Sequence, residues 1–304
     1  MRKLFNFFAA ALVMLAAASC EKNEVLPDNN SEGKVVILNA SINNGGTKTS
    51  LGQGVGDPIQ YPVYWSEGDA IAVIQGSNVY EFTLKTGAGK TSATFQSTSA
   101  KNFDPENPYK AFYPFSYVSV VDSKIKYTIP DTQRYAENSF GVESVPMVAE
   151  CSTPNGVLDF TSLSGALKLQ FTGNKIIRSI EVVASNVNIS GEISSANPYS
   201  PSLTDILFDS NNGNRSVTLD CGQDGVQLRG NTATDFIIAI SKYNGLSLTI
   251  IVTDTEDNKR VLRIGGKQNM SAGNIIKMPL VNYDEQPNDY IVVENTKGLI
   301  MALV

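Results

Sequence analysis

Apolar and polar side chains alternate in short runs along almost the whole of this chain, and a period of two marks a strand with one buried face. The first run is Lys34-Val35-Val36-Ile37-Leu38-Asn39-Ala40-Ser41-Ile42. Val36, Leu38, Ala40 and Ile42 share one face, and Val35, Ile37, Asn39 and Ser41 the other, so the run predicts a half-buried strand. The loop Asn43-Asn44-Gly45-Gly46-Thr47-Lys48-Thr49 follows it. Further strands are predicted at 61–65, 70–74, 79–84, 92–95, 110–115, 124–129 and 146–150, bounded by Gly, Asn, Asp and Ser. After Thr153-Pro154-Asn155-Gly156 the pattern restarts. Runs at 157–160, 165–171, 177–184, 187–193, 216–219, 235–240, 246–253, 260–264 and 275–281 follow, with a Ser-, Asn- and Pro-rich stretch at 194–214 read as a long loop. Helical periodicity is almost absent. The expectation is an all-β chain of two tandem β-sandwich domains, 34–156 and 157–283.

The two ends read differently from the body. Arg2 and Lys3 precede an apolar run ending at Ala18, too short for a membrane span of about 20 residues and suited to a signal peptide over 1–19. Ala17, Ala18 and Ser19 before Cys20 resemble a bacterial lipobox, in which Cys20 is diacylated and becomes the mature N-terminus; the alternative is an ordinary secretory signal. Residues 20–33 are polar and suit a tether. At the other end, 284–304 forms a tail that finishes on Leu299-Ile300-Met301-Ala302-Leu303-Val304. Six apolar residues must be buried somewhere. They form either a final hairpin on the chain's own sheet or a donor segment, with Leu299, Met301 and Leu303 as its row.

Composition narrows the chemistry. The 304 residues include no histidine, which removes every catalytic triad, dyad or metal site that needs an imidazole. The net charge of −6, with 18% charged residues, gives no surface for nucleic acid. Of the three cysteines, Cys151 and Cys221 either pair in an oxidising compartment or remain free thiols. No cofactor, metal site or catalytic residue is expected.

A set of motifs carries a resemblance. Thr47-Lys48-Thr49-Ser50-Leu51, Trp65-Ser66-Glu67-Gly68-Asp69-Ala70-Ile71, Tyr109-Lys110-Ala111-Phe112-Tyr113-Pro114, Ile129-Pro130-Asp131-Thr132-Gln133-Arg134-Tyr135 and Pro146-Met147-Val148-Ala149 come in order. Phe160-Thr161-Ser162-Leu163-Ser164-Gly165-Ala166-Leu167 and Met270-Ser271-Ala272-Gly273-Asn274 continue it. From about Cys20 to Val281 the chain resembles the fimbrillin family, the lipoprotein pilins of Gram-negative type V fimbriae. That resemblance implies two transthyretin-like sandwiches, a lipid anchor at Cys20 in the outer membrane, and a surface-exposed pilus subunit supporting adhesion. It also implies that a trypsin-like surface protease removes the first strand, and that other pilin subunits, like or unlike, fill the vacancy by strand exchange. By position, Val36, Leu38, Ala40 and Ile42 lie in the discarded strand and Lys48 at the processing site. The family often cuts after arginine, and this chain has none between Arg2 and Arg134. Lys34 is the other processing candidate, and an uncut anchor subunit is the alternative.

Three local signals have plainer readings. Thr86-Gly87-Ala88-Gly89-Lys90-Thr91 lacks the first glycine of a phosphate loop and reads as a hairpin turn. Asp254-Thr255-Glu256-Asp257-Asn258 lacks the glycine and closing glutamate of a calcium loop and reads as a hairpin tip. Trp65 reads as core rather than as a sugar platform. A non-polymerising surface lipoprotein binding glycan or host protein is the main competing function, and a carboxylate-dependent hydrolase the third.

Overall fold

A computed structural model describes residues 25–26, 35–42, 50–51, 63–122, 124–195, 206–284, 289–295 and 298–302. Those residues are almost entirely strands, with one short 3-10 turn at Phe115–Tyr117. No helix among them is long and apolar enough to cross a membrane.

In the first half, hydrogen bonding runs through Val35–Ile42, Leu158–Ser162, Met147–Cys151, Tyr109–Tyr113, Ala70–Gln75, Asn78–Thr86 and Ser92–Ser97. The last of these pairs back onto Val35–Ile42. Where the sequence suggests two separate stacked sheets, the pairing is continuous and closes a ring. The interior is rich in aromatic side chains, with Trp65, Phe82, Phe95, Tyr113 and Phe160 all buried.

Some of these strands are apolar on both faces, which explains continuous apolar runs such as Ala70-Ile71-Ala72-Val73-Ile74. Ile71 and Val73 point into the ring, while Ala72 and Ile74 point out and join Phe112 and Val148. A second, four-stranded sheet covers that outer face: Val118–Val121, Lys124–Ile129, Ser190–Ser195 and Ile206–Asn214. It contributes Ile125, Tyr127, Ile129 and Ile193 to the shared cluster.

This covering sheet draws strands from both halves. Lys124–Ile129 pairs antiparallel with Ser190–Ser195, and Lys126 meets Glu192 across the seam at 2.8 Å. A few residues on, Thr132–Arg134 runs parallel to Ser216–Asp220. Between them Gln133 is buried, and its amide pairs like a strand residue with Ala239. Nε2 donates to the Ala239 carbonyl at 2.7 Å, and the Ala239 N–H donates to Oε1 at 2.9 Å. The halves are therefore joined by backbone pairing.

The second half is a sandwich. One sheet holds Ser216–Asp220, Ile176–Ala184, Tyr243–Asp254 and Lys259–Met270; the other holds Gly230–Ser241, Ser164–Gly173 and Ile275–Asn282. Leu167, Leu169 and Phe171 from the smaller sheet share one core with Ile180, Val182, Ile250 and Val252 from the larger.

Two expectations are corrected. The stretch 194–214 is not a loop throughout, because Ile206–Asn214 is a strand on the edge of the covering sheet, paired with Ser190–Ser195. Backbone ladder bonds form there despite poor strand propensity. The restart of pattern after Gly156 also does not coincide with a change of sheet. Leu158–Ser162 pairs with Met147–Cys151 and Val35–Ile42, and Leu158 and Phe160 lie in the first core.

Candidate functional site

The segment Val35–Ile42 alternates half-buried and buried positions throughout, as its sequence predicts. Val36 and Leu38 are fully buried, and Ala40 and Ile42 nearly so. Both edges of the strand are bonded. Val36 through Ser41 pair antiparallel with Ser97 through Ser92, and Ala40, Ser41 and Ile42 pair parallel with Leu158, Asp159 and Phe160. Val25–Leu26 adds a short antiparallel pairing at Val35 and Val36. On the outer face, the Ser41 hydroxyl donates to the Asp159 carboxylate.

Beneath the strand lies an aromatic floor. The Trp65 ring meets Phe95 at 4.9 Å, Phe160 at 5.3 Å and Tyr113 at 5.8 Å between centroids, each nearly edge-on, the geometry that ring quadrupoles favour. A turn built on the next residues holds the tryptophan in place. Asp69 is buried, accepts the Ser66 N–H at 2.6 Å and accepts the Tyr113 hydroxyl at 3.0 Å. Burial, and then the Asp69 charge beside it, push the Tyr113 hydroxyl far above the usual phenol range. It therefore stays a donor at every physiological pH.

The Thr86–Thr91 segment, with its superficial likeness to a phosphate loop, is the hairpin turn expected of it. It also closes one end of the groove: the Ile42 N–H donates to the Thr91 carbonyl at 3.0 Å, and Trp65 exchanges backbone bonds with Lys90 and Gly89. Gly87 has φ of +105°, and a Cβ there meets the Ser92 carbonyl at 2.5 Å, so only glycine permits this tight closure.

Removing Val35–Ile42 from this arrangement opens a slot with two unpaired strand edges and an apolar floor. One edge belongs to Ser92–Ser97, the other to Leu158–Ser162. Such a slot is a template for another strand. Burying Val36, Leu38 and Ile42 contributes roughly 5–9 kcal/mol before ordering costs.

Other site residues fall as follows. Cys20, Lys34, Lys48 and Leu303 lie outside the described residues. Leu299 and Met301 lie in Gly298–Ala302, which pairs antiparallel with Asp289–Asn295; that strand in turn runs parallel to Lys259–Met270. The tail backbone thus forms a hairpin at the edge of the second half's larger sheet. Cys151 and Cys221 are both free thiols, and burial, with the Asp220 charge beside it, pushes the Cys221 thiol up to about 12. The Asp254 tip joins two strands, and its carboxylate accepts from the Glu256 and Asn258 backbone N–H groups at 2.9 Å. Among the described residues, no group of three or more Cys, Asp or Glu side chains is placed to hold a metal ion. Periodicity does not reveal the Asp69–Tyr113 bond or the Gln133 clamp, because Asp69 and Gln133 each stand among other polar residues, in Ser66-Glu67-Gly68-Asp69 and Asp131-Thr132-Gln133-Arg134.

No family model and no curated protein matches the chain. Among solved structures it is similar to a candidate cell adhesion protein from Bacteroides ovatus, with 11% identity and a TM-score of 0.48 over 88% of this chain and 95% of that one. A candidate cell adhesion protein from Bacteroides uniformis is similar at 11% identity and TM-score 0.45, over 88% of this chain and 95% of that one. A fimbrial protein from Bacteroides ovatus is similar at 10% identity and TM-score 0.31, over 87% of this chain and 51% of that one. These likenesses assign no family.

Proposed function

We propose that this protein is a structural subunit of a cell-surface fibre that supports adhesion. It is exported as a lipoprotein anchored through Cys20, and it polymerises when Val35–Ile42 leaves and a strand from another subunit takes its place. The observation that carries this reading is the position of Val35–Ile42. It bridges two otherwise unconnected strand edges, fills an aromatic-floored slot with four alternating apolar side chains, and is followed in sequence by the Gly-containing segment 43–49 that bears Lys48. A cut at Lys48 frees the hairpin partner Val25–Leu26 together with the strand, which is then held only by lateral pairing with Ser92–Ser97 and Leu158–Ser162 and becomes exchangeable. The role is mechanical rather than catalytic, in keeping with a chain that has no histidine.

The test is limited trypsin digestion of the full-length precursor, followed by native electrophoresis and mass analysis. Cleavage at Lys48 or Lys34 with a ladder of oligomers is the expected result. A cleaved protein that remains monomeric, whether it keeps or loses 35–42, overturns the polymerisation mechanism and leaves a non-polymerising surface lipoprotein.

A further inference from the structure

Trp65 is the only tryptophan in the chain and is fully buried, yet its indole N–H has no hydrogen-bond partner. A buried donor left unmet is a standing penalty, and native proteins seldom tolerate one without a reason. Its position is well defined. Trp65 packs against both Phe95 and Phe160. Phe95 lies opposite Leu38, and Phe160 opposite Ile42. The two rings that the indole touches are thus in register with Leu38 and Ile42, on either side of Ala40, the one small side chain among the four that point inward.

The side chains that point inward from the strand, Val36, Leu38, Ala40 and Ile42, are hydrocarbon and cannot accept it. Of the three rings that Trp65 meets edge-on, Tyr113 alone carries an oxygen, and its hydroxyl donates to Asp69 Oδ1 without bonding the indole N–H. The resident strand fits the slot in shape but leaves its floor chemically incomplete.

We propose that the Trp65 N–H is a selectivity element of the groove. It favours a replacement strand that carries a short oxygen-bearing side chain, Ser or Thr, at the register Ala40 now occupies, between large apolar residues. This rests on the strand-exchange reading above and sharpens it. The resident strand is by design the weaker occupant, so exchange runs forward. The chain's own terminal rows, Leu299-Met301-Leu303 and Ile300-Ala302-Val304, carry no such oxygen. The preferred donor is accordingly an extended segment of a different subunit rather than the tail of a second copy.

A single tryptophan gives a single indole N–H resonance, so the first arm is a proton–nitrogen NMR spectrum of full-length protein. Ala40→Thr moves that proton downfield and slows its exchange with solvent, while Ala40→Val, nearly the same shape but without the oxygen, does neither. Identical indole signals in the two variants overturn the proposal. The second arm measures binding to trypsin-cleaved protein of synthetic peptides spanning 34–42, with the native sequence or with Ala40→Ser. The Ser peptide binds about threefold to tenfold more tightly, the range of one net hydrogen bond, and Trp65→Phe abolishes the difference. Equal binding of the two peptides overturns the selectivity and leaves strand exchange standing. If neither peptide binds, strand exchange itself fails and the selectivity falls with it.

Discussion

The two halves of the chain close their cores with different materials. The second half packs Ile, Val and Leu side chains from two facing sheets, among them Ile180, Val182, Val217, Ile250 and Val252, with few rings between them. Interdigitated branched side chains at crystal-like density fit one partner set and resist replacement. The first half instead lays medium-sized aliphatic side chains from Val35–Ile42 over the flat faces and edges of Trp65, Phe95, Phe160 and Tyr113. A floor of rings offers broad apolar contact with fewer narrow sockets. The contrast separates a core of interlocked branched side chains from one in which a single strand covers a floor of rings.

The sharpest way to break that contrast is to weaken both cores equally and then cut the loop. Leu38→Ala and Ile180→Ala each remove a fully buried side chain and each cost about 3–4 kcal/mol in the intact protein, read from urea unfolding. After trypsin cleavage in 43–49, Leu38→Ala accelerates release of 35–42, followed by Trp65 fluorescence, whereas Ile180→Ala leaves that rate unchanged. Equal sensitivity of release to both substitutions would mean that the cores are not separable.

Gln133→Ala tests how far the halves behave as one body. It leaves the Ala239 N–H and carbonyl without their buried partner, at a cost of about 2–3 kcal/mol. Calorimetry then resolves two transitions where the parent protein shows one; a single transition at lowered temperature would show that the flanking strand pairs suffice. Tyr113→Phe is milder, about 1–2 kcal/mol, because the buried Asp69 loses its bond from the Tyr113 hydroxyl. Its effect is confined to the Trp65 signal, and loss of second-half circular dichroism at the same denaturant concentration would contradict local action.

The smallest effect belongs to the Asp254 tip. Burial raises its carboxyl, but hydrogen bonds from Asn258 and Glu256, with the Lys175 charge, outweigh burial and hold it below the usual carboxylate range. A depressed folded-state value means stability present above the ordinary carboxylate range and lost as pH falls through the folded value. The second half therefore weakens in acid below about pH 4, and Asp254→Asn flattens that slope. An unchanged acid profile in the variant assigns the slope elsewhere.

Much of this architecture was legible in the sequence, and the illegible part has a common cause. The strict alternation of Val36, Leu38, Ala40 and Ile42 fixed which face is buried, and runs such as 165–171 and 177–184 located strands within a few residues. Partner choice was not legible. Nothing in the spacing of Lys124–Ile129 says that it pairs with Ser190–Ser195, because pairing depends on residues far along the chain. Ile206–Asn214 was hidden because Asp209, Ser210, Asn211, Asn212, Gly213 and Asn214 resemble a loop in composition, although an edge strand needs only its backbone groups. Gln133 was visible as a residue but not as a clamp, since its partner, Ala239, is a backbone.

The parallel contact between Ala40 and Leu158 also has a consequence in time. During synthesis the opening strand emerges more than a hundred residues before the segment that flanks it on that side, and long-range closure of this kind is slow. Until synthesis reaches residues 158–162, the barrel stands incomplete at the seam where 35–42 docks. Closing the ring is therefore a late event in the folding of the first half, and its opening strand waits, paired on one side only, for the segment that completes it.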